Sequence, residues 1–494
     1  MLPAAIYLAA IVSFCGLLAF LIVRQMRPVW TQGLLWCGLT LGLVVGLSSI
    51  IFFLGLVTIN DRGTMALAGP LAASIGAMLL AIPALRKRDT LNSRPIKSDS
   101  PASGAWPTKI LLALLLLVIV CAVLQFIVLS RNVPHGFGDA YAIWNLRARF
   151  LHRSGADWTG AFDAKLAWSH VDYPLLLPAC IACYWDVLGS ETTLVPQAIA
   201  MAFTFGTVLV IIAALGYVRS TSQGLLAALV ILGGGFFFGR GVSQYADVPL
   251  AFYIVTALSL IAIHDRMGDR SYRLLAAAGL CAGFAAWTKN EGLLFLLCIS
   301  AALTLAGVLR SGWRQTARSL GAFALGAAPI LLVVFLFKAF YAGHNDLVSE
   351  QGWQRTVERL LNPSRYMLIL QHLVQQIKTV PVLFAVALAI HCLLVGKIHR
   401  PSLPIASVSL LCLAFMSVGY LLVYVTTPHD LTWHLETSLD RLMLHLFPAG
   451  VLSLFLVLGT IEEHLGCSAG GLADAHAVAG PTPSNVEGGR AMAA

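Results

Sequence analysis

The feature that most restricts this chain is its alternation between apolar runs of membrane-crossing length and short polar connectors. A hydrocarbon core of roughly 30 Å takes about 20 apolar residues in a helix. Runs near 2–23, 33–58, 64–84, 108–130, 193–217, 223–238, 246–264, 272–288, 291–309, 319–341, 379–396, 404–425 and 442–460 approach or meet that length. In lipid every backbone amide needs a partner inside its own segment, so each run is read as a helix. The expected fold class is an all-α polytopic membrane protein with about thirteen transmembrane helices. Composition agrees. Hydrophobic residues make up 58% of the 494 and charged residues 11%, too little polar surface for a water-soluble globule.

Charge sets the orientation. Residues 2–23 are long for the apolar stretch of a cleaved leader, and Arg24 and Arg27 follow the run instead of preceding it. A retained first helix with its N-terminus outside is expected. The basic connectors 264–273, 310–318 and 396–402 then fall on the cytoplasmic side, as the positive-inside rule requires. The net charge of +9 sits mostly in such connectors, and nucleic acid is not an expected partner. The apolar piece 174–189 is short, with Pro174 and Pro178 around its first turn. It is read as interfacial or re-entrant, because a full span there would move basic connectors outside.

Four units are expected. They are an accessory three-helix segment (1–85), a basic Ser/Pro-rich cytoplasmic linker (86–107), a transmembrane core (108–464) and a disordered cytoplasmic tail (465–494). The ten Cys residues lie almost all within apolar spans. Cys180 and Cys183 are read as helix-packed thiols, since no second pair or His cluster gives metal spacing.

The longest polar interruption, 135–178, is the first loop expected outside the core. Ionisable groups at the ends of membrane spans are costly and commonly functional. Asp139, Asp247, Lys289, Glu291, Asp440 and Arg441 all fall at the outer ends of expected helices. A transporter tends to hold such groups near the bilayer midplane, whereas this placement suits an enzyme acting on a lipid head group. Each residue also has a plainer reading. Asp139 and Asp247 precede helical runs and are candidate N-caps. Lys289 and Glu291 can pair with each other. Arg441 can snorkel beside Asp440, with His445 one turn further on the same face. His170 and His429 are weaker candidates. Trp144, Trp158 and Trp168 are interfacial anchors or a stacking surface for a sugar ring.

The phrases DAYAIWNLRARF, DYPLLLP, YADVPLAF and WTKNEGLL, in this order and sidedness, resemble integral-membrane glycosyltransferases of the GT-C fold. The pattern is similar to the lipid A aminoarabinose transferases, the protein O-mannosyltransferases and a bacterial branch related to lipopolysaccharide-core glycosyltransferases. The resemblance covers roughly 108–460 and leaves out the first three helices. It implies inverting transfer of a sugar from a polyprenyl-phosphate donor to an acceptor hydroxyl on a glycan, lipid or protein, outside a bacterial inner membrane. It makes Asp139 and Asp247 the catalytic residues, Asp139 as the carboxylate of the first outer loop and Asp247 as the second outer-loop Asp. Arg441, with Lys289 and His445, would meet the donor phosphate. Trp144, His170, Asp172, Tyr173 and Glu291 would meet the acceptor or the sugar. Gly138 and Ala140 flank Asp139, so no paired acidic motif occurs there. That favours relatives working without a metal; no cofactor is firmly expected and a divalent cation is left open. The competing expectation is a transporter or flippase of a lipid-linked sugar.

Overall fold

The computed structural model describes residues 2–59, 106–268, 271–343, 352–378, 389, 391–393 and 395–464. The expected span 64–84, nearly all of the linker, most of 379–396 and the tail from 465 lie outside the described residues. The described residues form helices, with a single isolated bridge between Ile398 and Leu458 and no strands. Among them, eight helices are long and apolar enough to cross a membrane, or nine if one bent pair is a single span. The chain is an all-α polytopic membrane protein.

In order, the helices are α1 (Leu2–Val23), α2 (Val29–Thr58), α3 (Trp106–Asn132), α4 (Asn145–Arg153), α5 (Leu176–Leu188), α6 (Leu194–Val218), α7 (Thr221–Gly233), α8 (Phe236–Val242), α9 (Asp247–Met267), α10 (Tyr272–Thr288), α11 (Glu291–Phe340), α12 (Trp353–Leu360), α13 (Pro363–Lys378), α14 (Leu403–Thr426) and α15 (Leu431–Val457). At the centre is α9, apolar on every side and buried along its whole apolar window. That is the pattern of a helix with no lipid-facing stripe. Around it pack α6, α10, α14 and α15. In contrast, α3 leaves Leu112, Leu116, Val120 and Leu124 exposed, a stripe suited to lipid.

The described part of the N-terminal segment packs closely against the rest of the bundle. On α2, Gly38, Gly42, Gly46 and Ser49 recur at helical spacing and let its backbone approach the core closely. A Cβ at Gly42 would lie 2.6 Å from Phe252, and one at Gly46 would lie 2.5 Å from Phe284. The gap is closed by polar contacts as well. Tyr253 donates to Gly42 O at 2.8 Å, and Trp287 Nε1 donates to Ser49 Oγ at 3.0 Å.

Three expected boundaries move. The span expected at 223–238 is broken, with α7 and α8 meeting at 63° around Gly233–Gly235. The spans expected at 291–309 and 319–341 follow one another with almost no connector, as two helical halves of α11 broken where Gly312 takes φ 77°. Thr316 packs on Gly307 across that turn. The last helix begins at Leu431 rather than 442. Asp430 caps it by accepting from Trp433 N at 2.8 Å, so the expected loop 426–441 is largely helical. The apolar piece read as interfacial forms α5, a helix of 13 residues, roughly 20 Å and too short to span. Cys180 and Cys183 are buried free thiols in it.

One end of the bundle is basic. Arg273 bonds Gln25, Arg310 bonds Asp265 and Pro404 O, and Arg219 bonds Leu458 O. The opposite end carries the polar loop and the candidate site.

Candidate functional site

The site is built on Asp247, whose side chain is 0% exposed. It is not an N-cap; Ala246 holds the cap position, and Asp247 begins α9 itself. A buried carboxylate is strongly unfavourable unless paired and hydrogen-bonded. Here the C-terminal end of α10 and the body of α15 supply the partners. Lys289 Nζ donates to Oδ1 at 2.8 Å, His445 Nε2 donates to Oδ1 at 2.7 Å, and Arg441 Nε donates to Oδ2 at 3.2 Å. Lys289 reaches Asp247 because the backbone turns extended between α10 and α11. Its ammonium also lies 3.0 Å from Glu291 Oε1.

His445 is fully enclosed, and its tautomer follows from its neighbours. Nε2–H points to Asp247, so Nδ1 accepts from the Tyr420 hydroxyl at 3.1 Å. Arg441 and His445 are four residues apart on α15, one turn, and address opposite oxygens of the same carboxylate.

Asp139 approaches from the loop after α3. It precedes a π-helical turn (Ala140–Trp144) with helical backbone angles and makes no side-chain cap bond. Its Oδ2 instead lies 2.6 Å from Arg441 Nη2. This is an ion contact outside hydrogen-bond angles, so Oδ2 is buried without a directed donor. Glu291 Oε2 is buried without one too. An amide network holds the loop in place. Asn145 Nδ2 donates to His135 O at 3.0 Å and to Gln244 Oε1 at 3.2 Å, and Gln244 Nε2 donates to Pro134 O at 3.2 Å. Gly136 takes φ 72°, and a Cβ there would sit 2.7 Å from Ser243 O.

The rest of the polar loop forms a wall. Arg147 is buried in α4 and donates to Ser169 O and His170 O at 2.7 Å each, and to Tyr173 O at 3.2 Å. Burial pulls its guanidinium down to about 10, which leaves it charged at neutral pH. The turn it holds puts His170 at φ 52° and stacks Tyr173 between His170 (4.8 Å) and Trp144 (5.6 Å). The Lys289 ammonium lies 5.7 Å from the Tyr173 ring centre.

Of the ten expected site residues, Asp139, Asp247, Lys289, Glu291, Arg441 and His445 form one charged centre, with Tyr173 beside it. Trp144 is 1% exposed and backs Tyr173, so it presents no open face to a sugar or to lipid. Trp158 is also buried, against Phe53 and Tyr341; Trp168 alone of the three is exposed. Asp172 is buried as a tie. Asn290 Nδ2 donates to it at 2.6 Å, and Lys338 bonds its backbone carbonyl. Asp440 pairs with Arg240, not with Arg441. His429 lies in the connector between α14 and α15, away from the centre.

Two residues escaped sequence reasoning. Tyr420 looks like an ordinary aromatic in an apolar run. The Tyr245 ring lies 5.4 Å from both the Arg240 and Arg441 guanidiniums, and its hydroxyl leaves room only for glycine at 138. Its place two residues before Asp247 was the available signal.

Among the described residues, no group of three or more His, Cys, Asp or Glu side chains is arranged to hold a metal ion. Fold and site together define a polytopic helical membrane protein with a buried ionic centre at one end of its bundle. Compared with protein-family models, curated proteins and solved structures, the chain matches none.

Proposed function

We propose that this protein is a membrane glycosyltransferase that moves a sugar from a polyprenyl-phosphate donor to an acceptor hydroxyl, with inversion at the anomeric carbon. The observation that carries the reading is the Asp139–Arg441 contact of 2.6 Å at the loop-bearing end of the bundle. It puts a carboxylate suited to general-base work beside a guanidinium suited to a phosphate.

Three carboxylates (Asp139, Asp247, Glu291) face two permanent cations (Arg441, Lys289) in this centre. A phosphodiester is therefore admitted by displacing Asp139 from Arg441, since Asp247 is locked by three donors. The released Asp139 takes the proton of the acceptor hydroxyl as its oxygen bonds to the anomeric carbon. The bond from that carbon to the phosphate oxygen breaks on the opposite face, and the electron pair leaves with the phosphate. Arg441 stabilises the added charge, and Asp247, Lys289 and His445 keep it aimed. Asp247, with no exposure, acts as a positioning residue here rather than as a base.

Placing the basic connectors in the cytoplasm by the positive-inside rule puts this centre on the extracytoplasmic face. About thirteen spans, an outer N-terminus and a cytoplasmic C-terminus belong to the same reading, as does a bacterial inner membrane. Apolar grooves between helices would take the prenyl chain.

The test is turnover of polyprenyl-phosphate sugars by the purified protein in nanodiscs, with and without chelator, using a crude acceptor extract. Transfer by wild type that is lost in folded Asp139→Asn supports the reading, and full transfer by that variant overturns it. Lipid movement between leaflets without turnover would instead make the protein a flippase.

A further inference from the structure

A second basic feature shares no residue with the charged centre. A cleft of about 360 Å³ opens between α13 and the start of α15, lined by Arg359, Ser364, Arg365, Leu368, Leu431 and Thr432 among others. Arg365 Nε donates to Val425 O at 2.8 Å, and its Nη2 donates to Tyr424 O at 3.1 Å. Arg359 Nη1 donates to Thr426 O at 3.1 Å. Arg365 Nη2 also lies within bonding distance of Thr427 O, at 3.3 Å. Both arginines serve the C-terminus of α14, and doing so sets two guanidinium groups on the wall of one open cleft. One carboxylate, Asp430, also lines the cleft, and it accepts from Trp433 N at the start of α15.

The height of the cleft in the bilayer names the ligand. α15 has 27 residues, roughly 40 Å of helix against a hydrocarbon core of roughly 30 Å. Its far end is fixed by the polar residues that follow Val457, where Glu462 and Glu463 bond Ser222 and Thr460. About two turns at its start therefore stand in the head-group layer, where lipid phosphates lie. Trp433 and Trp353 are exposed there, as interfacial aromatics are. On α13, Tyr366, Met367, Leu370 and Val374 recur at helical spacing and are exposed, an apolar stripe that acyl chains cover.

We propose that this cleft holds the phosphate of an anionic phospholipid, bound by Arg359 and Arg365 with its chains along α13. The proposal stands apart from the glycosyltransferase reading and needs no sugar donor.

The experiment uses the full chain in nanodiscs of phosphatidylcholine and phosphatidylglycerol, and native mass spectrometry counts the lipids retained on delipidation. Wild type should keep phosphatidylglycerol in preference to phosphatidylcholine. Arg359→Gln should lower that preference roughly five- to tenfold. Inorganic phosphate should not displace the lipid. Equal retention of both lipids by wild type, an unchanged preference in folded Arg359→Gln, or displacement by inorganic phosphate would each overturn the assignment. Because no donor is present, these outcomes leave the transfer assay to judge the enzymatic reading separately.

Discussion

The two ends of the bundle both carry partly buried ionic networks, and they use them differently. At the basic end, Arg219 bonds Leu458 O and His399 Nδ1 at 2.8 Å each and lies 3.4 Å from Glu463. Gln223 donates to Gly459 O at 2.6 Å, and Ser222 donates to Glu462 at 2.6 Å. This network closes the segment after α15 onto the start of α7, and much of its bonding goes to backbone carbonyls. In the charged centre at the site end the contacts run from side chain to side chain across α9, α10, α11 and α15. What is left over differs too. The clasp leaves a guanidinium nitrogen and an amide oxygen buried without partners, whereas the site leaves carboxylate oxygens of Asp139 and Glu291. Formal charge kept short of donors is what a ligand with donors or a transferable proton would satisfy.

That contrast can be broken by experiment. The largest effect should come from Asp139→Asn, which should lower transfer on the order of 10²–10⁴-fold while the fold survives, as measured by turnover beside a thermal melt. The same variant should bind polyprenyl phosphate severalfold more tightly, because the carboxylate that competes for Arg441 has lost its charge. Unchanged or weaker binding by scintillation proximity would mean that Asp139 and the phosphate do not share Arg441.

Removing a buried partner should harm the fold itself. Lys289→Met should destabilise by about 3–5 kcal/mol, read as a lowered unfolding midpoint in detergent. Arg219→Met in the clasp should do less damage, since its charged and ring partners, Glu463 and His399, are part-exposed. A midpoint loss equal to that of Lys289→Met would erase the distinction between the ends. Gly46→Leu tests whether α2 belongs to the core. Pressed against Phe284, it should cost about 1–3 kcal/mol, whereas a separable module would show little change in the midpoint.

The smallest effect concerns pH at the clasp. Burial and the neighbouring Arg219 hold His399 below its ordinary value, and Glu463 only partly offsets them. The unfolded chain then binds the proton more readily than the folded one. Stability is full above about 6.5, the unfolded value, and falls as pH drops through the folded value. His399 is part-exposed, so the effect is screened. Unfolding midpoints taken across that window should sag in wild type and stay flatter in His399→Gln.

Rarity made part of the site legible. In a chain this apolar, a charged residue at the end of a span stands out. Asp139, Asp247, Lys289, Glu291, Arg441 and His445 could be picked without knowing their partners. The pairing could not. Asp440 and Arg441 are adjacent in the chain, yet one turns to Arg240 and the other to Asp139 and Asp247. Trp144 and Asp172 carried the same sequence signals as open-site residues and proved to be buried supports.

The sequence by itself determined that this is a helical membrane protein, where most of its spans fall, and which costly charges it keeps. Those follow from local composition, because a bilayer imposes its length and its hydrogen-bonding demand on each segment separately. Only the tertiary structure decided that α2 lies in the core, that α7 and α8 are bent apart, and that Asp247 is a hub closed to solvent. Each of these depends on which helix ends meet, and that is set by close packing between segments distant in the chain, where a glycine or a ring decides how near two backbones come.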